Sequence, residues 1–292
     1  MWEKINKFIY SRVILSAILI VVLFIILLGL FSGLTISNDM DTSLLLVIFT
    51  IGQLVLSILA IWLMRKLDVF NINDFKFKDM GKGFLLAWVG FVCIIIYSIV
   101  SIIELPANSF VTPNILYLLI IFVHLLFGTS IFEEVLLRGL ILKVLLKKMS
   151  HSKRGIIIAC IISSAVFGIA HIGNIITITD KSSIGSYLLV FSQLIYAAAA
   201  GFFFAALFLR TKTLWIPIVM HTLFNLPTYI IDAITSPGDV LFITETLNEI
   251  NIPWLIINTL LVLILFIAAG LVLLKKVQPE EITDWIPERK AI

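Results

Sequence analysis

Six polar residues, set in three short stretches of an otherwise greasy chain, have the types and spacing for acid–base chemistry. In "FEEVLLR" Glu133 and Glu134 are adjacent and Arg138 follows. In "FGIAH" Phe167 and His171 are four apart, and in "HTLFN" so are His221 and Asn225. Residues four apart share a helix face, and an acid placed N-terminal to its base is the favourable order. Glu134 and Arg138 therefore neutralise each other on one helix. Glu133 points about 100° away and has no partner on its own helix. A desolvated, unpaired carboxylate can accept a proton near neutral pH. The competing reading, that both glutamates simply bind Arg138 to fix packing, is open for this segment alone. A lone histidine inside a membrane is more often a packing residue, and His124, with no polar residue on its face, is read that way. His151 lies in a basic loop and is read as solvated. Two imidazoles, an amide and an unpaired carboxylate on three nearby apolar segments make a stronger case for chemistry.

Those segments have to be held by helices in lipid. Of 292 residues, 61% are hydrophobic and 13% charged, against about 25% charged in soluble domains. The expectation is an all-α, polytopic membrane helix bundle. A span needs about 20 apolar residues, and about eight such runs are present. They are 13–34, 44–64, 83–103, 115 to about 137, 155–175, 187–209, 214–231 and 254–274. The first exceeds the ~7–15 residues of a signal-peptide core and reads as an uncleaved span. Cys93 and Cys160 fall in apolar runs and read as packing residues, with no disulfide framework.

Loop charges alternate. Arg65, Lys66, Lys76, Lys78 and Lys82 follow the second run, Lys143, Lys147, Lys148, Lys153 and Arg154 the fourth, Arg210 and Lys212 the sixth, and Lys275 and Lys276 the eighth. The other loops are acidic or nearly neutral, with Asp39 and Asp41, Glu104, Asp180 with Lys181, and finally Asp232, Asp239, Glu245 and Glu249. The positive-inside rule puts the basic loops and both termini in the cytoplasm. Such scattered basic clusters are no nucleic-acid signature. The partners expected are the bilayer and a membrane-associated peptide or protein, and the location a multi-pass cell membrane, bacterial by its short loops. "KFKDMGKGF" reads as the start of a surface helix and "QPEEITDWIPERKAI" as a short solvated end. Three parts are drawn: 1–114 with the first three spans, a core at 115–231, and 232–292 with the last span and tail. Two tensions accompany this layout. A straight helix from Ile115 to Lys147 would be nearly ~50 Å long, so a bend near Gly128 or an exit after Arg138 is expected. His171 lies about 25 Å from Arg154 along its helix, against about 15 Å from Glu133 to Lys143, so the fifth span must tilt or start late.

The motifs Glu133-Glu134-x-x-x-Arg138, Phe167-x-x-x-His171 and His221-x-x-x-Asn225, in this order, resemble those of the CPBP (CAAX protease and bacteriocin-processing, or Abi) intramembrane proteases, which include the Ras-converting CAAX endopeptidase. The likeness covers about residues 115–230. It implies an endopeptidase acting on membrane-associated peptides or protein termini. Glu133 would activate water, His221 would help hold it, and His171 with Asn225 would stabilise the oxyanion. Glu134, Arg138 and Phe167 would organise the site. Zinc on Glu133, His171 and His221 fits the donor chemistry of a catalytic site, and a glutamate mechanism without metal fits equally. Other intramembrane proteolytic patterns are missing: no His-Glu-x-x-His, no Gly-x-Ser-x-Gly, and no aspartate within a span. A non-catalytic scaffold or bacteriocin-immunity protein, and a proton-coupled transporter, are the competing functions. The first is disfavoured by the intact motifs, the second by the lack of paired discontinuous helices.

Overall fold

Helix is the regular structure throughout the described residues, as a backbone immersed in lipid requires when no water can satisfy its amides. The computed structural model describes residues 2–35, 41–103, 111–177, 184–235 and 252–286. The helices are α1 (Trp2–Ser11), α2 (Val13–Thr35), α3 (Thr42–Lys66), α4 (Met80–Leu86), α5 (Trp88–Ile103), α6 (Ile115–Met149), α7 (Lys153–Ala170), α8 (Ile184–Thr211), α9 (Trp215–Thr235), α10 (Ile252–Lys275) and α11 (Pro279–Trp285). All eight apolar runs are helical. Six helices are long and apolar enough to cross a membrane: α2, α3, α6, α7, α8 and α10. The third and seventh runs fall short of that measure. The third breaks at Ala87, leaving 16 residues in α5, and the apolar part of α9 is Trp215–Ile231. Asp232 lies within α9, whereas Asp39, Glu104, Asp180, Lys181, Asp239, Glu245 and Glu249 lie outside the described residues.

Helix α8 is the axis of the bundle, because its run of small residues lets neighbours come close. Ala197, Ala199, Ala200 and everything from Phe202 to Leu209 are buried. A Cβ at Gly168 of α7 would stand 2.6 Å from the Leu194 carbonyl oxygen of α8, so only glycine allows that crossing.

The long fourth span is helical from end to end. It continues as one helix of 35 residues. Its hydrogen bonding switches to the wider π pattern at His124–Ser130 and again at Val135–Leu142. The two π segments bracket a single α-helical turn, Ile131–Glu134. π segments are rare and concentrate at functional sites. The α-helical part of the fifth span ends at Ala170, where the His171 N–H bonds back to Gly168 and Ile169, and a 3₁₀ segment continues to Thr177.

Four loops read as basic converge at one end. The Leu214 N–H donates to Asp74 O at 2.7 Å and the Trp215 indole to Phe75 O at 2.9 Å. Arg210 reaches Lys276 O at 3.3 Å, and Lys147 reaches Asp68 O at 3.1 Å. The tail corrects the sequence reading. Its described part, up to Ile286, is not a solvated end, because α11 folds back and buries Ile282, Trp285 and Ile286, whereas residues 287–292 lie outside the described residues. Lys143 is likewise no loop charge: it lies on α6, fully buried, and pairs with Asp74. Burial pushes the Asp74 carboxyl above its ordinary range, while Lys143 and the Trp285 indole pull it back. The physical reason for both corrections is that a lysine and a tryptophan can close over one aspartate brought from a distant loop.

Candidate active site

The α-helical turn between the π segments carries the two glutamates, and the structure gives them unequal surroundings. The Glu134 side chain is fully buried, whereas that of Glu133 is 23% exposed. Glu134 Oε1 accepts from Arg138 Nη1 at 2.9 Å, the pair expected from the spacing. The same oxygen meets His221 Nδ1 at 2.9 Å. Spacing alone did not reveal this second partner, because it comes from α9. Arg138 also donates Nη2 to the Gly201 carbonyl of α8 at 3.1 Å, and its guanidinium lies 5.0 Å and 5.6 Å from the ring centres of Phe167 and Phe204. Gly201 and Phe204 went unnoticed in the sequence. The signal was the glycine in "AAAAGFFFAA": a Cβ there would stand 3.3 Å from Arg138 Nη2 and 3.0 Å from the Phe167 ring.

His221 is suspended between the two acids. Its Nε2 faces Glu133 Oε2 at 3.5 Å, too long for a good hydrogen bond. A carboxylate already paired with an arginine can only accept, so the proton sits on Nδ1. In the neutral form of that tautomer, Nε2 turns a lone pair towards Glu133 Oε2. Two acceptors that face each other can share a donor placed to one side of both.

His171 comes near without joining this network. Its ring packs edge-to-face on Phe167 at 4.9 Å, and Phe167 meets the His221 ring at 5.8 Å, so one phenyl touches both imidazoles. His171 Nδ1 lies 2.9 Å from its Phe167 carbonyl oxygen, which fixes a proton on Nδ1. The neutral ring therefore offers an acceptor at Nε2, and donation from that atom takes the imidazolium. Among the described residues no hydrogen bond or ion pair joins His171 to Glu133, Glu134 or His221. Asn225 is half-buried one turn beyond His221. No group of three His, Cys, Asp or Glu side chains able to hold a metal ion occurs among the described residues.

Three buried polar atoms of the site have no hydrogen-bond partner there: Glu133 Oε2, Glu134 Oε2 and Arg138 Nε. His124 is the contrasting case. It is buried, with Nδ1 at 3.0 Å from Thr50 Oγ1 and Nε2 at 3.3 Å from Thr129 Oγ1. Both nitrogens are occupied, as suits a packing residue.

Residues 114–227 match the family described as Type II CAAX prenyl endopeptidase Rce1-like. This agrees with the likeness carried by the three motifs. Comparison with curated proteins and with solved structures gives no match. The segment of this membrane protein that holds the double glutamate, Arg138 and both motif histidines is thus the part that matches the Rce1-like type II CAAX prenyl endopeptidases, a protease family.

Proposed function

We propose that the protein is an intramembrane endopeptidase that hydrolyses peptide bonds of membrane-associated peptides or protein termini at the Glu133–His221 pair. The observation that carries this reading is His221 held by Glu134 through Nδ1, with Nε2 turned to a partly exposed Glu133. A water placed there donates one hydrogen to Glu133 and the other to Nε2, which leaves a lone pair for the scissile carbonyl. Glu133 takes the proton as the C–O bond forms, then passes it to the departing amine nitrogen as the C–N bond breaks. Arg138 keeps Glu134 ionised, and Glu134 keeps the imidazole in the required tautomer. The developing oxyanion needs donors aimed at it. Asn225 supplies one without charge, and His171 supplies one as the imidazolium. No step here is routed through a metal.

The same reading makes α5 and α9 the two further spans of an eight-span bundle. The clustered basic loops and both termini then face the cytoplasm of a bacterial plasma membrane. The test is Glu133→Gln in the purified full chain, assayed on membrane-tethered peptides. Loss of a positioned general base lowers kcat by about 10²- to 10⁴-fold, with the melting temperature unchanged because the side chain is part-exposed. Undiminished cleavage by this variant, with contaminating proteases excluded, overturns the assignment.

A further inference from the structure

On the same helix as the two glutamates, nine residues after Glu134, lies a second buried charge. Lys143 and Asp74 both have fully buried side chains, with Nζ 2.5 Å from Asp74 Oδ2. Asp74 Oδ1 accepts from the Trp285 indole N–H at 3.1 Å. Lys143 Nζ also sits 4.7 Å from the centre of the Trp285 ring, and that ring packs edge-on against Phe208 of α8 at 4.9 Å. Asp74 and Trp285 lie on opposite sides of the family match at 114–227, and both are outside it.

A buried ion pair is a poor way to gain stability, because the desolvation cost is comparable to the attraction. Its best-attested use is to fix a register. A register is at stake here. Between Lys143 and the glutamates runs the π segment Val135–Leu142, which holds an extra residue in its turn. If that segment relaxed to ordinary α-helix, one side would rotate against the other by about 100°. With Glu134 held by His221 before the segment and the Lys143 cluster anchored after it, it cannot.

We infer that Lys143, Asp74 and Trp285 form a positioning lock: they hold the π register of Val135–Leu142 and thereby keep Glu133 and Glu134 aimed at His221. None of the three touches the reacting atoms. The inference rests on the reading of Glu133 and His221 as the reacting centre. It makes the C-terminal helix α11, which bears no motif, a working part of the enzyme.

The test uses the full chain in detergent micelles, with the double variant Lys143→Met/Asp74→Asn. Removing both charges together, with similar volumes retained, leaves stability nearly unchanged in comparable cases. The expected result is a cooperative melt like the parent's, faster amide hydrogen exchange over residues 135–142, and kcat lowered about tenfold or more at unchanged KM. Lys143→Arg, which retains charge and pairing, restores most of the rate. A folded double variant with parental exchange and parental kcat overturns the lock. If the double variant does not fold, Trp285→Phe decides: it keeps a ring over Lys143 and removes the donor to Asp74. Faster exchange at 135–142 with a fall in kcat supports the lock, and parental values for both overturn it. If the parent chain cleaves no peptide, the reading of the reacting centre falls. The exchange arm still judges the lock, and parental exchange in the variants rejects it.

Discussion

Near one end of α6, Lys143 and Asp74 are sealed by Trp285, and every polar atom of the cluster has a partner. Two to three turns away, Glu134 and Arg138 are equally buried, yet Glu134 Oε2, Arg138 Nε and the nearby Glu133 Oε2 have none among the described residues. Both clusters are ion pairs with a member on α6, and both bear the cost of desolvation. The difference is in unused hydrogen-bonding capacity. Buried polar groups are normally satisfied, so orphaned atoms call for an explanation. A cluster with no orphaned polar atom rigidifies, whereas a cluster with open acceptors and a donor to offer can bind water and a reacting carbonyl. The two buried histidines repeat the contrast. His124 is closed by two threonines, while His221 keeps Nε2 open towards Glu133.

The comparison can be broken most severely at Arg138. Arg138→Leu leaves Glu134 buried and without its cation, and removing one member of a buried pair costs about 3–5 kcal/mol. Unfolding of the variant in micelles should show a loss of that size together with loss of cleavage. A stability equal to the parent's would mean that the pair is incidental to both. Gly201→Ala is a subtler intrusion. The new methyl presses on the Phe167 ring and on Arg138 Nη2, an overpacking of about 1–3 kcal/mol. Cleavage should fall further than Tm alone explains, because the guanidinium is displaced from the Gly201 carbonyl. Equal activity in folded Gly201→Ala would show that the Arg138 anchor is not needed. Thr50→Val is expected to do least. It removes one partner of His124 and costs about 1 kcal/mol, with kcat and KM unchanged. A drop in kcat there would erase the distinction between a closed histidine and an open one.

Much of this molecule was legible in the sequence for reasons of short range. Apolar runs of span length dictate helices because a lipid-immersed backbone has no other partners. The period of 3.6 residues puts Glu134 beside Arg138, and the structure has them hydrogen-bonded. The same argument leaves Glu133 free to face elsewhere. The alternation of basic loops foretold that these loops share one end, where they interlock. The unbroken α6 was not legible, because a ruler of 3.6 residues per turn has no place for the i→i+5 pairing that the helix adopts on both sides of Glu133 and Glu134.

What the sequence by itself determined, then, is the membrane class, the helices, and which polar residues share a face. These follow from local periodicity and from the solvent that surrounds each segment. Only the tertiary structure decided that His221 binds Glu134 rather than Glu133 alone, that Phe167 touches both imidazoles, and that Lys143 is buried under a C-terminal tryptophan. Each of these joins residues from different helices, and such partners are chosen by packing across the bundle, which no spacing along one helix encodes.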